Sequence, residues 1–125
     1  MLATSIEQSK KLVELGLLKE TADMFWERDM NCLGVETYNL ISGIRYTKEE
    51  LKDLFEEFDN LIPAWSLSGL LELMPKHHVV EKCGDDTYAC YYMTTPEKWG
   101  KTPVDAAYKK IVWLLENKLI KTEEK

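Results

Sequence analysis

Hydrophobic positions along the chain change period several times, and each change marks an element. Near the start, Thr4-x-x-Glu7 has the form of a capping box, in which hydroxyl and carboxylate satisfy each other's orphan backbone donors. Beyond it, at about 100° per residue, Ile6, Ser9, Leu12, Val13 and Leu15 share one side, opposite Glu7, Lys10, Lys11 and Glu14. Gly16 supplies the left-handed stop, so the pattern predicts an amphipathic helix. A second, shorter helical signal runs from Leu17 to Met24, after which Phe25 and Trp26 bring bulk to the core. From Val35 the period becomes two, with Tyr38 and Leu40 on one side and Thr37 and Asn39 on the other; a strand over Val35 to Ser42 follows, ended by Gly43.

Thr47-x-x-Glu50 is another capping box, and the helix behind it gathers Leu51, Leu54, Phe55 and Phe58 into one arc. Its other face carries Glu49, Glu50, Asp53, Glu56, Glu57 and Asp59 with only Lys48 and Lys52. Leu61 to Trp65 contains Pro63 and reads as a helix breaker; Ser66 caps a central helix rich in leucine that ends at Pro75. Two β-prone runs, His77 to Cys83 and Thr87 to Thr94, flank the turn Gly84-Asp85-Asp86 and predict a hairpin. Thr95 to Lys101 reads as a loop. Thr102 then caps a last helix with Pro103 at its first position and Asp105 in its first turn. On that helix Val104, Ala107, Tyr108, Ile111, Val112, Leu114, Leu115 and Leu119 form a wide apolar arc, while Trp113 falls on the opposite side among Ala106, Lys109, Lys110 and Asn117. Another segment of the chain, or a second molecule, is needed to cover Trp113.

The order of elements predicts an α+β fold, four or five helices packed on a small antiparallel sheet of three or four strands, as a single domain over residues 1–125 with a frayed polar end at 121–125. A chain of 125 residues, 45% hydrophobic, buries roughly two-thirds of its unfolded surface and needs neither metal nor disulfide support. No apolar run reaches the length of about 18 residues that crosses a bilayer. The first ten residues lack the basic and apolar regions of a signal peptide, so the expected location is cytoplasmic. Cys32, Cys83 and Cys90, without CxxC spacing, are then expected as buried thiols or free ones.

Sixteen basic residues against 22 acidic ones leave a net charge of −6, all of it in the first half: residues 1–62 hold seven basic and thirteen acidic side chains, residues 63–125 nine of each. This acidic balance disfavours a nucleic-acid partner. GxGxxG, P-loop, HExxH and GxSxG motifs are all missing, which removes the usual support for nucleotide, zincin and hydrolase chemistry. His77 and His78, with Cys83 and Cys90, suggest a zinc site, yet neighbours on a strand point to opposite faces and the common ligand spacings are lacking, while the carboxylates from Glu49 to Asp59 diverge from their helix instead of converging on a divalent ion. No cofactor is implied. The acidic face bearing Glu49, Asp53, Glu56 and Glu57 reads first as solvated and second as a surface for a partner. Trp99, in a loop beside Lys98 and Lys101, has the character of a recognition aromatic.

Three blocks stand out together: Ser5-Ile-Glu-Gln-Ser-Lys-Lys-Leu-Val-Glu-Leu-Gly-Leu with Thr21-Ala-Asp-Met, then Ile62-Pro-Ala-Trp-Ser-Leu-Ser-Gly-Leu-Leu-Glu-Leu-Met-Pro, then Thr102-Pro-Val-Asp-Ala-Ala with Trp113-Leu-Leu. They resemble a family of small uncharacterised proteins encoded by gut bacteria and their phages or prophages, which implies a mobile-element setting and brings no activity or site with it. A strand pair followed by the capped helix at Thr102 also resembles HicB-like antitoxins, which implies a nucleic-acid-associated regulator. Taken together, these readings lead to the expectation of a non-catalytic interaction or accessory module that contacts itself or a protein partner through Trp113, Lys109, Lys110 and Trp99 or through the acidic helix. A small metal-binding protein or enzyme centred on His77, His78 and Cys83 is the alternative.

Overall fold

In a computed structural model, which describes residues 2–75, 78–92 and 95–122, the helix starts are governed by local capping and the sheets by contacts distant in sequence. The first helix, α1 (Ile6–Glu14), is capped by Ser5 and Gln8 in place of Thr4 and Glu7. Both pairs fit the capping-box pattern, and tertiary structure chooses between them. Thr4 is buried: its hydroxyl lies 2.8 Å from that of Ser9 and accepts the backbone N–H of Trp65 at 3.1 Å. With Thr4 engaged there, the cap moves one residue on.

The helical signal from Leu17 to Met24 yields only a 3-10 turn at Lys19–Thr21, and Met24 instead opens a strand, β1 (Met24–Met30). It pairs antiparallel with β2 (Glu36–Ser42) on one side and with β3 (Leu61–Ala64) on the other, giving a sheet in the order β2-β1-β3. Phe25 and Trp26 point to opposite faces. The Phe25 ring meets Phe55 of α2 (Lys48–Glu57) edge-on at 6.2 Å, while the Trp26 indole N–H donates to the Thr4 carbonyl at 3.0 Å. Since both faces of β1 are covered at this end, the strand shows no alternation of polar and apolar residues. Pro63, expected as a breaker, lies inside β3 opposite Phe25. Phe25 belongs to the pairs whose backbone groups face β2, so the missing Pro63 N–H costs the ladder no hydrogen bond.

Ser66 caps α3 (Leu67–Leu73) as expected, its hydroxyl accepting the Gly69 N–H. The hairpin follows as β4 (Val79–Lys82) and β5 (Tyr88–Tyr91), to which the segment read as a loop adds a short strand, β6 (Lys98–Gly100). Two three-stranded antiparallel sheets therefore take the place of the single sheet expected, within the α+β class. The last helix, α4 (Pro103–Glu116), is capped by Thr102 with Pro103 in its first turn, and Thr122 beyond it bridges to Leu17. Its burial extends beyond the predicted arc to Ala106 and Lys110, because β5 and β6 cover the side read as polar. At Gly100 a Cβ would lie 2.6 Å from the Ala106 nitrogen, so glycine is what lets β6 approach α4 this closely. One continuous core joins the two sheets through Leu12, Phe25, Phe55, Trp65, Leu70, Cys90, Ile111 and Leu114.

Candidate functional site

From Arg28 in β1 to Asn39 in β2 every residue is exposed, so this hairpin stands clear of the core as an arm. Its order comes from its own backbone. The β1–β2 ladder continues to the Met30–Glu36 pair, and Asn31 closes the tip. The Asn31 carboxamide oxygen accepts the N–H groups of Leu33 and Val35 at 2.9 and 3.0 Å, and the Asn31 N–H donates to the Val35 carbonyl. Gly34 takes the left-handed conformation, φ 77°, that this turn requires. On this frame sit Met30, Leu33, Val35 and Tyr38, with Leu33 84% exposed. Burying such a side chain is worth about 2 kcal/mol, and the chain forgoes that gain at several adjacent positions. The Arg28–Glu36 ion pair, at 4.0 Å and well solvated, adds little. The second strand shows in the sequence and the arm does not, because a period-two pattern does not reveal whether either face is covered.

Trp99, Lys109, Lys110 and Trp113 gather where α4 meets β6. The Lys109 ammonium donates to the Trp99 carbonyl at 2.9 Å, and the Trp99 ring is half exposed. Lys110 is buried, donating to the Thr95 hydroxyl at 2.7 Å and to the Pro96 carbonyl, with its ammonium 4.7 Å from the centroid of the Trp113 ring. Trp113 is part-buried against the core and borders a shallow cleft of about 260 Å³ with Lys98, Tyr108 and Val112. The chain itself thus supplies cover for this ring.

Burial lowers the Lys110 pKa, and it pushes the Cys90 thiol up to about 11 against the opposing pull of the Lys110 charge. Between about pH 9 and 11 the native state keeps a Cys90 proton that the unfolded state has lost, so stability falls as pH rises through that window, by about 2 kcal/mol at pH 11. Lys110 acts in the opposite sense, since below its usual value the unfolded state holds the extra proton and stability rises with pH. Cys90→Ala is therefore expected to flatten the alkaline decline in urea-unfolding free energy, and an unaltered pH profile would contradict the assignment. A thiol reagent at neutral pH should modify exposed Cys32 and Cys83 quickly and Cys90 only on unfolding.

Glu49, Asp53, Glu56 and Glu57 are all exposed on α2. Glu56 borders a small hollow with Lys19, Glu20 and Lys52, and the group stands on a different helix from Trp113. His77 lies outside the described residues. The His78 ring lies 5.4 Å from that of Tyr92, whereas Cys83 follows the far end of β4, about 16 Å away along an extended chain. All three cysteines are free, and Cys90 sits opposite Val80, well along β5 from Cys83. Among the described residues no three His, Cys, Asp or Glu side chains gather to hold a metal ion.

A cleft of about 450 Å³ lies between the 3-10 turn, the end of β2 and the starts of α2 and α3. Asp23 lines it, but both its carboxylate oxygens are held by the Ser66 N–H and hydroxyl. The strand pair and capped helix quoted for the second resemblance correspond to β4 with β5 and to α4, with β6 between them. No helix among the described residues is long and apolar enough to cross a membrane. Comparison with protein-family models, with curated proteins and with solved structures finds no match.

Proposed function

We propose that this chain is a non-catalytic protein-interaction module, of the accessory or regulatory kind that its resemblance to proteins of mobile elements implies, and that it works through the β1–β2 arm. The observation that carries this reading is the arm itself. A seven-residue ladder and a turn closed by Asn31 hold Met30, Leu33, Val35 and Tyr38 in water, away from the core. The partner it fits is a polypeptide, because β2 lies at the edge of its sheet and can accept a further strand while the tip side chains are covered. The arm is preferred over the Trp113 face, whose ring already packs against the chain's own core.

Cys32, exposed at the tip, gives a direct test. A photo-crosslinker attached there, in a Cys83→Ser background, is expected to capture a discrete protein from extracts of the source cells or a second molecule of the chain. The double substitution Leu33→Asp with Val35→Asp should abolish capture while circular dichroism stays native. Capture that survives the double substitution, or no protein adduct at all, would overturn the reading.

A further inference from the structure

The β2 edge is self-complementary, and we infer that two copies of this chain pair antiparallel through it, about Asn39, into one continuous six-stranded sheet. This rests on the arm being an interaction surface and names its partner.

The outward-facing backbone groups follow from the ladder. Asn31 donates to Val35 and Gly43 donates to Asp23, so the odd-numbered positions of β2 turn their N–H and C=O groups towards β1. The Arg28 N–H, bonded to Asn60 on the β3 side, agrees with that alternation. Glu36, Tyr38, Leu40 and Ser42 therefore direct theirs outward, and among the described residues no strand receives them. Natural edges are usually guarded by lysine, proline or a bulge, yet β2 has no lysine, arginine, proline or glycine, and its seven residues pair with β1 without a break.

Only certain registers let such an edge bond to itself, since the hydrogen-bonded pairs must join two even-numbered residues. Centred on Asn39, the pairing places Tyr38 opposite Leu40 of the second copy, an aromatic–aliphatic pair on one face, and Glu36 opposite Ser42. Thr37 falls opposite Ile41, and no charge meets a like charge. Centring on Tyr38 would instead set Glu36 against Leu40, and centring on Leu40 would carry Glu36 beyond the end of β2.

The same register accounts for exposed side chains outside the strand. Beyond the paired residues, the turn that carries Leu33 and Val35 leaves one end of β2 and the turn that carries Ile44 leaves the other, so the antiparallel pairing brings the tip of one arm beside the base of the other. Ile44 is 88% exposed and neighbours Tyr46, another exposed aromatic, in the single chain. Apolar residues at the tip and at the base thus lie on either side of Asn39, as a two-fold contact requires.

At the centre of this contact Asn39 faces its own copy in a non-hydrogen-bonded pair, where side chains come closest. Asn39 is exposed, so changing it leaves the fold of the single chain intact. Light scattering behind size exclusion, run to about 1 mM chain, is expected to give twice the chain mass for wild type and the single mass for Asn39→Lys and Asn39→Asp alone. Mixing the two variants in equal amounts should restore the double mass, because the facing charges are then opposite. A wild type of single-chain mass throughout would overturn self-pairing and leave the arm's capture of another protein standing on its own test. Variants that keep the double mass, or a mixture that fails to restore it, would overturn the Asn39-centred pairing.

Discussion

Trp65→Ala is expected to remove about 3–5 kcal/mol of stability, the largest loss for any single side chain here. Trp65 is fully buried, and its ring sits where the first sheet, α1 and the core around Leu70 meet. Its backbone pairs with Thr4 in both directions, with N–H to hydroxyl at 3.1 Å and carbonyl to N–H at 2.9 Å, and these bonds survive the substitution. What is lost is the ring volume and the indole hydrogen bond to the Thr21 hydroxyl at 3.1 Å. Against a total of about 5–15 kcal/mol for a domain of this size, the change should lower the melting temperature by at least about 10 °C. Trp65→Phe keeps most of the packing and gives up the bond to Thr21, so it should cost about 1–2 kcal/mol. Urea denaturation of the three proteins measures both steps. An alanine variant as stable as wild type would mean that the two sheets hold together without this ring.

How far each element could be read from the sequence depended on where its stabilising contacts lie. The starts of α2, α3 and α4 were legible because Thr47, Ser66 and Thr102 act within three residues of themselves. At α1 the same rule found the helix and missed its cap by one residue, since the competing bonds of Thr4 reach Ser9 and Trp65. The strands β1, β3 and β6 were not legible. β1 carries bulk on both faces near its start and exposure on both faces at its end, so neither half alternates. β3 hides its proline at a position that needs no N–H, and β6 is too short to show a period. On the side of α4 bearing Ala106, Lys110 and Trp113, helical spacing gathers Lys109, Lys110 and Asn117 and so predicts a polar face. Only the position of β5 and β6 turns it inward, with acceptors at Thr95 and Pro96 for the buried ammonium. The arm, too, was half visible: its second strand by alternation, its projection only from the structure.

The other large effect expected involves Asp23 and Gly69, two residues that the sequence does not connect. The Asp23 carboxylate accepts the Ser66 N–H at 2.8 Å and the Ser66 hydroxyl, while that hydroxyl in turn accepts the Gly69 N–H at 3.2 Å. A residue ahead of β1 thus completes the cap of α3. Removing it in Asp23→Ala leaves the Ser66 N–H without its charged acceptor and should cost about 2–3 kcal/mol. Gly69 faces the same carboxylate so closely that a Cβ there would lie 2.7 Å from Oδ1 and 2.9 Å from Cγ. The carboxylate is pinned by its bonds to Ser66 and has no room to yield, so Gly69→Ala should cost about 2 kcal/mol despite the better helix propensity of alanine. In the double variant the carboxylate is gone and the alanine methyl fits. The double variant should therefore be no less stable than Asp23→Ala alone, with a coupling of about 2–3 kcal/mol across the cycle. Additive losses in urea denaturation would show instead that glycine at 69 answers to some other neighbour and that Asp23 is not the group closing the start of α3.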